Sequence, residues 1–147
     1  MSDDTNRAAF DSRDFTAIFD HASVGVSDIK QAMDFYQPAL AALGLEPVMD
    51  KGFAVAFGNG QGRQWLWISE PIDKAREVAA NNGAHIALLA ASRTAVRDFY
   101  DAAMAHGGRD DGAPGLRPEY MPTYYGAFVL DPDGNKVEAV CRKDGET

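Results

Sequence analysis

One internal echo constrains this chain more than any other feature. The stretch from Asp20 to Tyr36, DHASVGVSDIKQAMDFY, is written again from Ala84 to Tyr100 as AHIALLAASRTAVRDFY. A shift of 64 positions carries His21 onto His85, Asp34 onto Asp98, Phe35 onto Phe99 and Tyr36 onto Tyr100 without a gap. It also carries Gly44 onto Gly108. A register held over about 25 positions marks two copies of one supersecondary unit. A histidine stands at the same distance before both DFY triplets, so the echo reaches polar positions as well as the core.

Within each copy the periodicity changes from strand to helix. From Phe15 to Val26, Ala22, Val24 and Val26 alternate with His21, Ser23 and Gly25, the pattern of a strand with one apolar face. Ser27 and Asp28 are candidate N-caps, and Ile29, Ala32, Met33, Tyr36 and Leu40 recur at helical spacing. Pro38 is expected to kink or end that helix early. Strands are expected at Leu45–Met49, Phe53–Phe57 and Gln64–Ser69, separated by Gly-rich turns. Residues 71–82 read as a linker with one or two helical turns. The second copy opens with a strand over Ala84–Ala90, on which His85, Ala87 and Leu89 share a face. Ser92 caps the next helix, and His106 sits in its last turn, a position suited to a solvated helix end. A Gly- and Pro-rich loop then leads to Tyr124–Leu130, the turn Asp131-Pro132-Asp133-Gly134 and the strand Asn135–Cys141. The expected organisation is a polar leader (1–14), one domain (15–143) and a short tail (144–147). Module one covers 15–70, the linker 71–82 and module two 83–143.

Composition narrows the function. The 147 residues carry a formal charge of −8, which argues against nucleic acid or anionic membrane as a partner. No apolar run approaches the length of a membrane span, and the N-terminus lacks the pattern of a secretory signal. The lone Cys141 precludes an internal disulfide and suits a reducing cytoplasm. Asp131–Gly134 lacks the further oxygen ligands of a calcium loop, so it reads as a turn.

A strand, a helix and three strands written twice, with a histidine on each opening strand, resemble the vicinal oxygen chelate superfamily. That group comprises glyoxalase I, extradiol dioxygenases and bleomycin-resistance proteins. The resemblance spans residues 17 to 142, and its most specific piece is YYGAFVLDPDGNKVEAV, Tyr124 to Val140. It implies an α+β fold of two tandem βαβββ modules, forming a cupped half-barrel mixed sheet with helices on the outer face, in a homodimer. It also implies metal ligands at His21, His85 and Glu138, for Fe, Mn, Ni, Zn or Co. The residue pattern agrees in placing each of the three on the non-apolar side of its strand. A fourth ligand of glyoxalase I-like members would fall near Trp67, which binds no hard cation; nearby, only Gln64 or Glu70, at the ends of the strand, could do so. The implied function is a metal-dependent lyase, isomerase or dioxygenase acting on a small oxygen-rich substrate. The alternative is a metal-free small-molecule binding or drug-sequestering protein.

Other candidates surround that triad. If Ala127 pairs with Glu138, Tyr125 shares the face of Glu138 and becomes a candidate acid or hydrogen-bond donor; a one-residue slip would put Tyr124 there instead. Glu119, in the segment corresponding to a lid, is a candidate acid or base. Trp65 and Trp67 on one strand face form either an aromatic wall for a planar substrate or a surface buried against a partner chain. Arg117 is a candidate anion contact.

Overall fold

The computed structural model describes residues 19–145. The expected leader, the first part of the opening strand and the end of the tail lie outside them. The element order is β1 (Ala22–Gly25), α1 (Ile29–Ala41), β2 (Glu46–Asp50), β3 (Ala54–Gly58) and β4 (Leu66–Ser69), then β5 (His85–Leu89), α2 (Arg93–Ala105), β6 (Arg109–Leu116), β7 (Tyr125–Leu130) and β8 (Lys136–Cys141). This is βαβββ twice. The two four-stranded sheets have the same order, β1-β4-β3-β2 and β5-β8-β7-β6. In each, the opening strand runs parallel to the closing strand and the remaining pairs are antiparallel. The sheets remain separate and are not closed into a barrel.

Both helices begin where capping chemistry places them. Asp28 accepts a hydrogen bond from the Gln31 amide at 2.9 Å, and Ser92 from the Ala95 amide at 3.0 Å. Phe35, Tyr36, Ala39 and Leu40 on α1 and Val96, Phe99 and Ala103 on α2 are completely buried. They join Phe57, Ile68, Val129 and Val137 in one apolar cluster shared by both modules. The helices touch each other and cover one face of the sheets. On the other face of β5, His85, Ala87 and Leu89 are exposed.

Three expectations need correction. Pro38 lies inside α1, which continues to Ala41. The missing amide donor costs the helix a bond to the Asp34 carbonyl. Complete burial of Leu40, worth about 1.5–3 kcal/mol, together with the turn closed by Leu45 N–H on the Leu40 carbonyl at 3.0 Å, carries the helix past it. Residues 71–82 contain no helix; they hold a turn at Asp73–Arg76 and enter a second at Asn82. The Gly- and Pro-rich stretch after α2 contains an eight-residue strand, β6. It is an edge strand, where Pro114 costs no ladder bond, and its register with β7 shifts between Asp110 and Gly112 and again between Gly112 and Gly115. These irregularities hid its alternation.

The Asp131–Asn135 turn joins the modules as well as the strands. Asp131 is completely buried. Its carboxylate accepts from the Tyr36 hydroxyl at 2.7 Å, the Asp133 amide at 2.9 Å, and the Asn135 amide and side chain at 2.8 and 2.9 Å. Asp133 accepts from the Ser27 amide at 2.9 Å, and Asn135 donates to the Gly25 carbonyl at 2.8 Å. The turn of module two is thus fastened to the β1–α1 junction of module one.

Candidate functional site

The centre of the site is set by the register of the last hairpin. Gly134 takes φ +89°, the Gly134 amide donates to the Asp131 carbonyl, and the Asp131 amide donates to the Asn135 carbonyl at 2.9 Å. Such a loop holds three residues, Pro132, Asp133 and Gly134, the last in the left-handed region. A two-residue tip would have set Ala127 opposite Glu138. The extra loop residue moves the pairing by one, so Phe128 faces Glu138 and Ala127 faces Ala139. Phe128, Gly126 and Tyr124 therefore share the side of Glu138, while Tyr125 turns to the helix side. There the Tyr125 hydroxyl accepts from Arg97 at 3.3 Å, and its ring packs near Arg93 and Arg97. The expectation that Tyr125 shares the face of Glu138 is corrected, and Tyr124 takes that place.

On this face the Tyr124 hydroxyl donates a hydrogen bond to Glu138 Oε1. His85 Nε2 lies 3.2 Å from Glu138 Oε2. The pairing of Ala87 with Glu138 in the parallel β5–β8 ladder brings these side chains together. Glu138 is 1% exposed, and the His85 side chain 42%. Burial, then the bond to Glu138, pushes the Tyr124 phenol up to about 12. It is therefore a proton donor at neutral pH, not a base. Gly126 makes the contact possible, since a Cβ there would lie 3.2 Å from Tyr124 Cε1 and 3.4 Å from Glu138 Oε1.

His85, Glu138 and Tyr124 line an open recess of about 560 Å³, together with Arg117, Glu119, Tyr120, Phe128, Lys136, Asp111 and Gly112. Arg117, the candidate anion contact, and Glu119, the candidate acid or base, both line this recess. Phe128 and Lys136 were missed: Lys136 shares the face of Glu138 by alternation along β8, and Phe128 becomes the cross-strand partner of Glu138 in the corrected register. The Arg117 amide donates to the Tyr124 carbonyl at 2.7 Å, closing the lid segment into a loop.

The other candidates lie elsewhere. His21 precedes β1 on module one, half-exposed, with Nδ1 2.6 Å from Asp20 Oδ1. Trp67 pairs across the sheet with Ser23 and so shares the side of β1 that carries His21 by alternation. Lys51 sits 5.3 Å from the Trp67 ring and Arg63 3.7 Å from that of Trp65. Neither tryptophan lines the recess. Glu70 is engaged with the Ile29 amide at 3.2 Å and with Lys74; the Lys74 bond, then the amide bond, holds its carboxyl below the usual range. Among the described residues, no group of three His, Cys, Asp or Glu side chains is placed to hold one metal ion. The chain alone brings together His85 and Glu138 but not His21. As a donor set, an imidazole nitrogen and a buried carboxylate suit a divalent transition metal as part of a site.

Comparison with known proteins agrees with this architecture. A glyoxalase/bleomycin resistance protein from Albidiferax ferrireducens T118 superposes with a TM-score of 0.77 at 29% identity, over 85% of this chain and 99% of that one. A lactoylglutathione lyase from Agrobacterium tumefaciens gives 0.58 at 24% identity, over 86% and 93%. A glyoxalase-related enzyme from Fulvimarina pelagi gives 0.65 at 16% identity, over 84% and 86%. Among curated proteins no match is found. Residues 18–139 match the model of one family, and the chain belongs to it: the Glyoxalase/Bleomycin resistance protein/Dioxygenase superfamily.

Proposed function

We propose that the protein is a divalent-metal-dependent enzyme of this superfamily, a lyase, isomerase or dioxygenase acting on a small oxygen-rich substrate in the recess of module two. The observation that carries the reading is the convergence of His85 Nε2 and Glu138 Oε2, 3.2 Å apart, at the wall of that recess. His85 and Glu138 would hold the ion, whether Fe, Mn, Ni, Zn or Co. His21, set apart on module one, would reach such a site as a ligand from a second copy of the chain in a homodimer. An ion held there would neutralise negative charge as it develops on a substrate oxygen.

The remaining chemistry belongs to the side chains around it. Tyr124 stays protonated, donates to Glu138 and fixes the orientation of its carboxylate. Glu119, exposed on the lid loop and lining the recess, supplies a carboxylate for proton transfer. Trp65 and Trp67 would form the facing wall when module one of a second copy covers the recess.

A metal-free binding protein is the second reading. It is favoured by one observation: His85 and Tyr124 already occupy both oxygens of Glu138.

Mixing two variants tests the first reading. His21→Ala and His85→Ala should each bind no metal alone. After joint refolding, about half of the dimers are mixed and each mixed dimer regains one of two sites, so metal capacity should recover to about a quarter of wild type. Full binding by His21→Ala alone would remove His21 from the site, and no binding by the wild type would favour the metal-free reading.

A further inference from the structure

The recess holds a second constellation, centred on Phe128 rather than Glu138. The Arg117 guanidinium carbon lies 5.8 Å and Lys136 Nζ 4.7 Å from the centroid of the Phe128 ring, and the His85 ring is 6.2 Å away. Two full cations are gathered over one aromatic ring beside the histidine of the proposed centre. They differ in availability. Lys136 is paired with Asp111 at 2.8 Å, which neutralises it locally. Arg117 forms no ion pair among the described residues. Its bonds go to backbone carbonyls, from Nη2 to Ala113 at 2.7 Å and from Nη1 to Leu116 at 3.4 Å. A guanidinium has five donors, so several remain for a ligand, on a side chain the backbone already holds in place.

The irregular edge strand makes room for it. A Cβ at Gly112 would lie 2.9 Å from Phe128 Cδ2 and 3.4 Å from Arg117 Nη2, and one at Gly115 would lie 3.0 Å from Arg117 Nη1. Gly112 also has φ +148°, which L side chains rarely adopt. The bulges and glycines of β6 thus leave a slot that lets Arg117 fold back over Phe128.

We propose that Arg117, held in the β6 slot over Phe128, is the carboxylate anchor of the substrate site, so that the substrate is a small planar molecule carrying a carboxylate. This rests on the recess being the substrate site but not on a metal being bound there. The fork of the guanidinium matches a carboxylate with two parallel hydrogen bonds. Tyr124, half-buried at the wall of the recess, offers flat apolar surface to the rest of such a molecule, above a floor formed by the buried Phe128. Lys136, already compensated by Asp111, adds orientation more than net attraction.

The test compares 4-fluorobenzoate with its neutral isostere 4-fluorobenzamide by fluorine NMR titration of the full chain, after EDTA treatment and again with added Mn(II) or Zn(II). In the EDTA-treated wild type, the carboxylate should bind at least about tenfold more tightly than the amide. Arg117→Met should reduce that preference to less than about twofold, with circular dichroism and thermal midpoint unchanged. Gly115→Ala alters no charge but crowds Nη1, and should weaken the preference severalfold while leaving amide binding as it was. Equal binding of the two ligands by the metal-free wild type overturns the proposal. So does a preference retained in folded Arg117→Met, or retained in full by Gly115→Ala should the arginine variant fail to fold. A preference that arises only with added metal and survives Arg117→Met assigns the carboxylate to the ion and likewise overturns it. Because the decisive titration is metal-free, failure of the metal reading leaves its result intact.

Discussion

Replacing Tyr36 with Phe should expose how far the fold depends on the buried carboxylate of Asp131. Tyr36 and Asp131 are both completely buried, and the hydroxyl donates to Oδ2 at 2.7 Å across the boundary between modules. Hydrogen bonds to charged groups contribute about 1.5–3 kcal/mol. Asp131 keeps three other donors, so the penalty for an unsatisfied carboxylate is only partly incurred, and about 2 kcal/mol is expected. For a domain of this size that lowers the thermal midpoint by roughly 5–10 °C. Tyr100, which the repeat places in the equivalent position, is only half-buried, and Tyr100→Phe should cost distinctly less. Alkaline pH adds a signature. Burial first, then the charge of Asp131, raises the Tyr36 phenol well above its ordinary value. A raised folded-state pKa means that the stabilisation is complete below the unfolded value of about 10 and is lost as pH rises above it. The alkaline decline should therefore be shallower in Tyr36→Phe than in wild type. Differential scanning calorimetry from pH 7 to 11 reads both effects. A midpoint moved by less than about 1 °C, or an equal loss in Tyr100→Phe, would refute the clamp.

Further outcomes follow from the same geometry. Pro38→Ala restores an amide donor inside α1 and should stabilise the chain by about 1–3 kcal/mol in chemical denaturation; a loss would mean that the ring packs better than the missing bond costs. Gly108→Ala puts a Cβ 2.6 Å from the Ala103 carbonyl and 2.7 Å from Phe35 Cε2; it should destabilise by about 1–3 kcal/mol, read in the same experiment. Tyr124→Phe frees Glu138 Oε1 without altering the core; Zn(II) titration calorimetry should show changed affinity with a thermal midpoint close to wild type, whereas an unchanged affinity would separate Tyr124 from the centre.

The repeat made the fold legible because a shift that aligns His21 with His85 and DFY with DFY also aligns the elements between them. The strand of His85 and the last strand of Glu138 could be read because alternation leaves each polar side chain facing away from the helix. What the sequence concealed was register and irregularity. The positive φ of Gly134 turns a two-residue tip into a three-residue loop, which exchanges Tyr125 for Tyr124 and brings Phe128 beside Glu138. The bulges of β6 break the period of two that would have revealed a strand. Pro38 was a sound local signal outweighed by the burial of Ala39 and Leu40. The family resemblance also implied three ligands together, yet one chain joins only His85 and Glu138, because its modules meet through their helices.

The most direct measurement is the metal content of tag-free protein by elemental analysis, beside His85→Ala and Glu138→Gln. The account predicts near-stoichiometric iron, manganese, nickel, zinc or cobalt in the wild type and its loss in both variants. Negligible metal in all three proteins, even after anaerobic incubation with each ion, would contradict it.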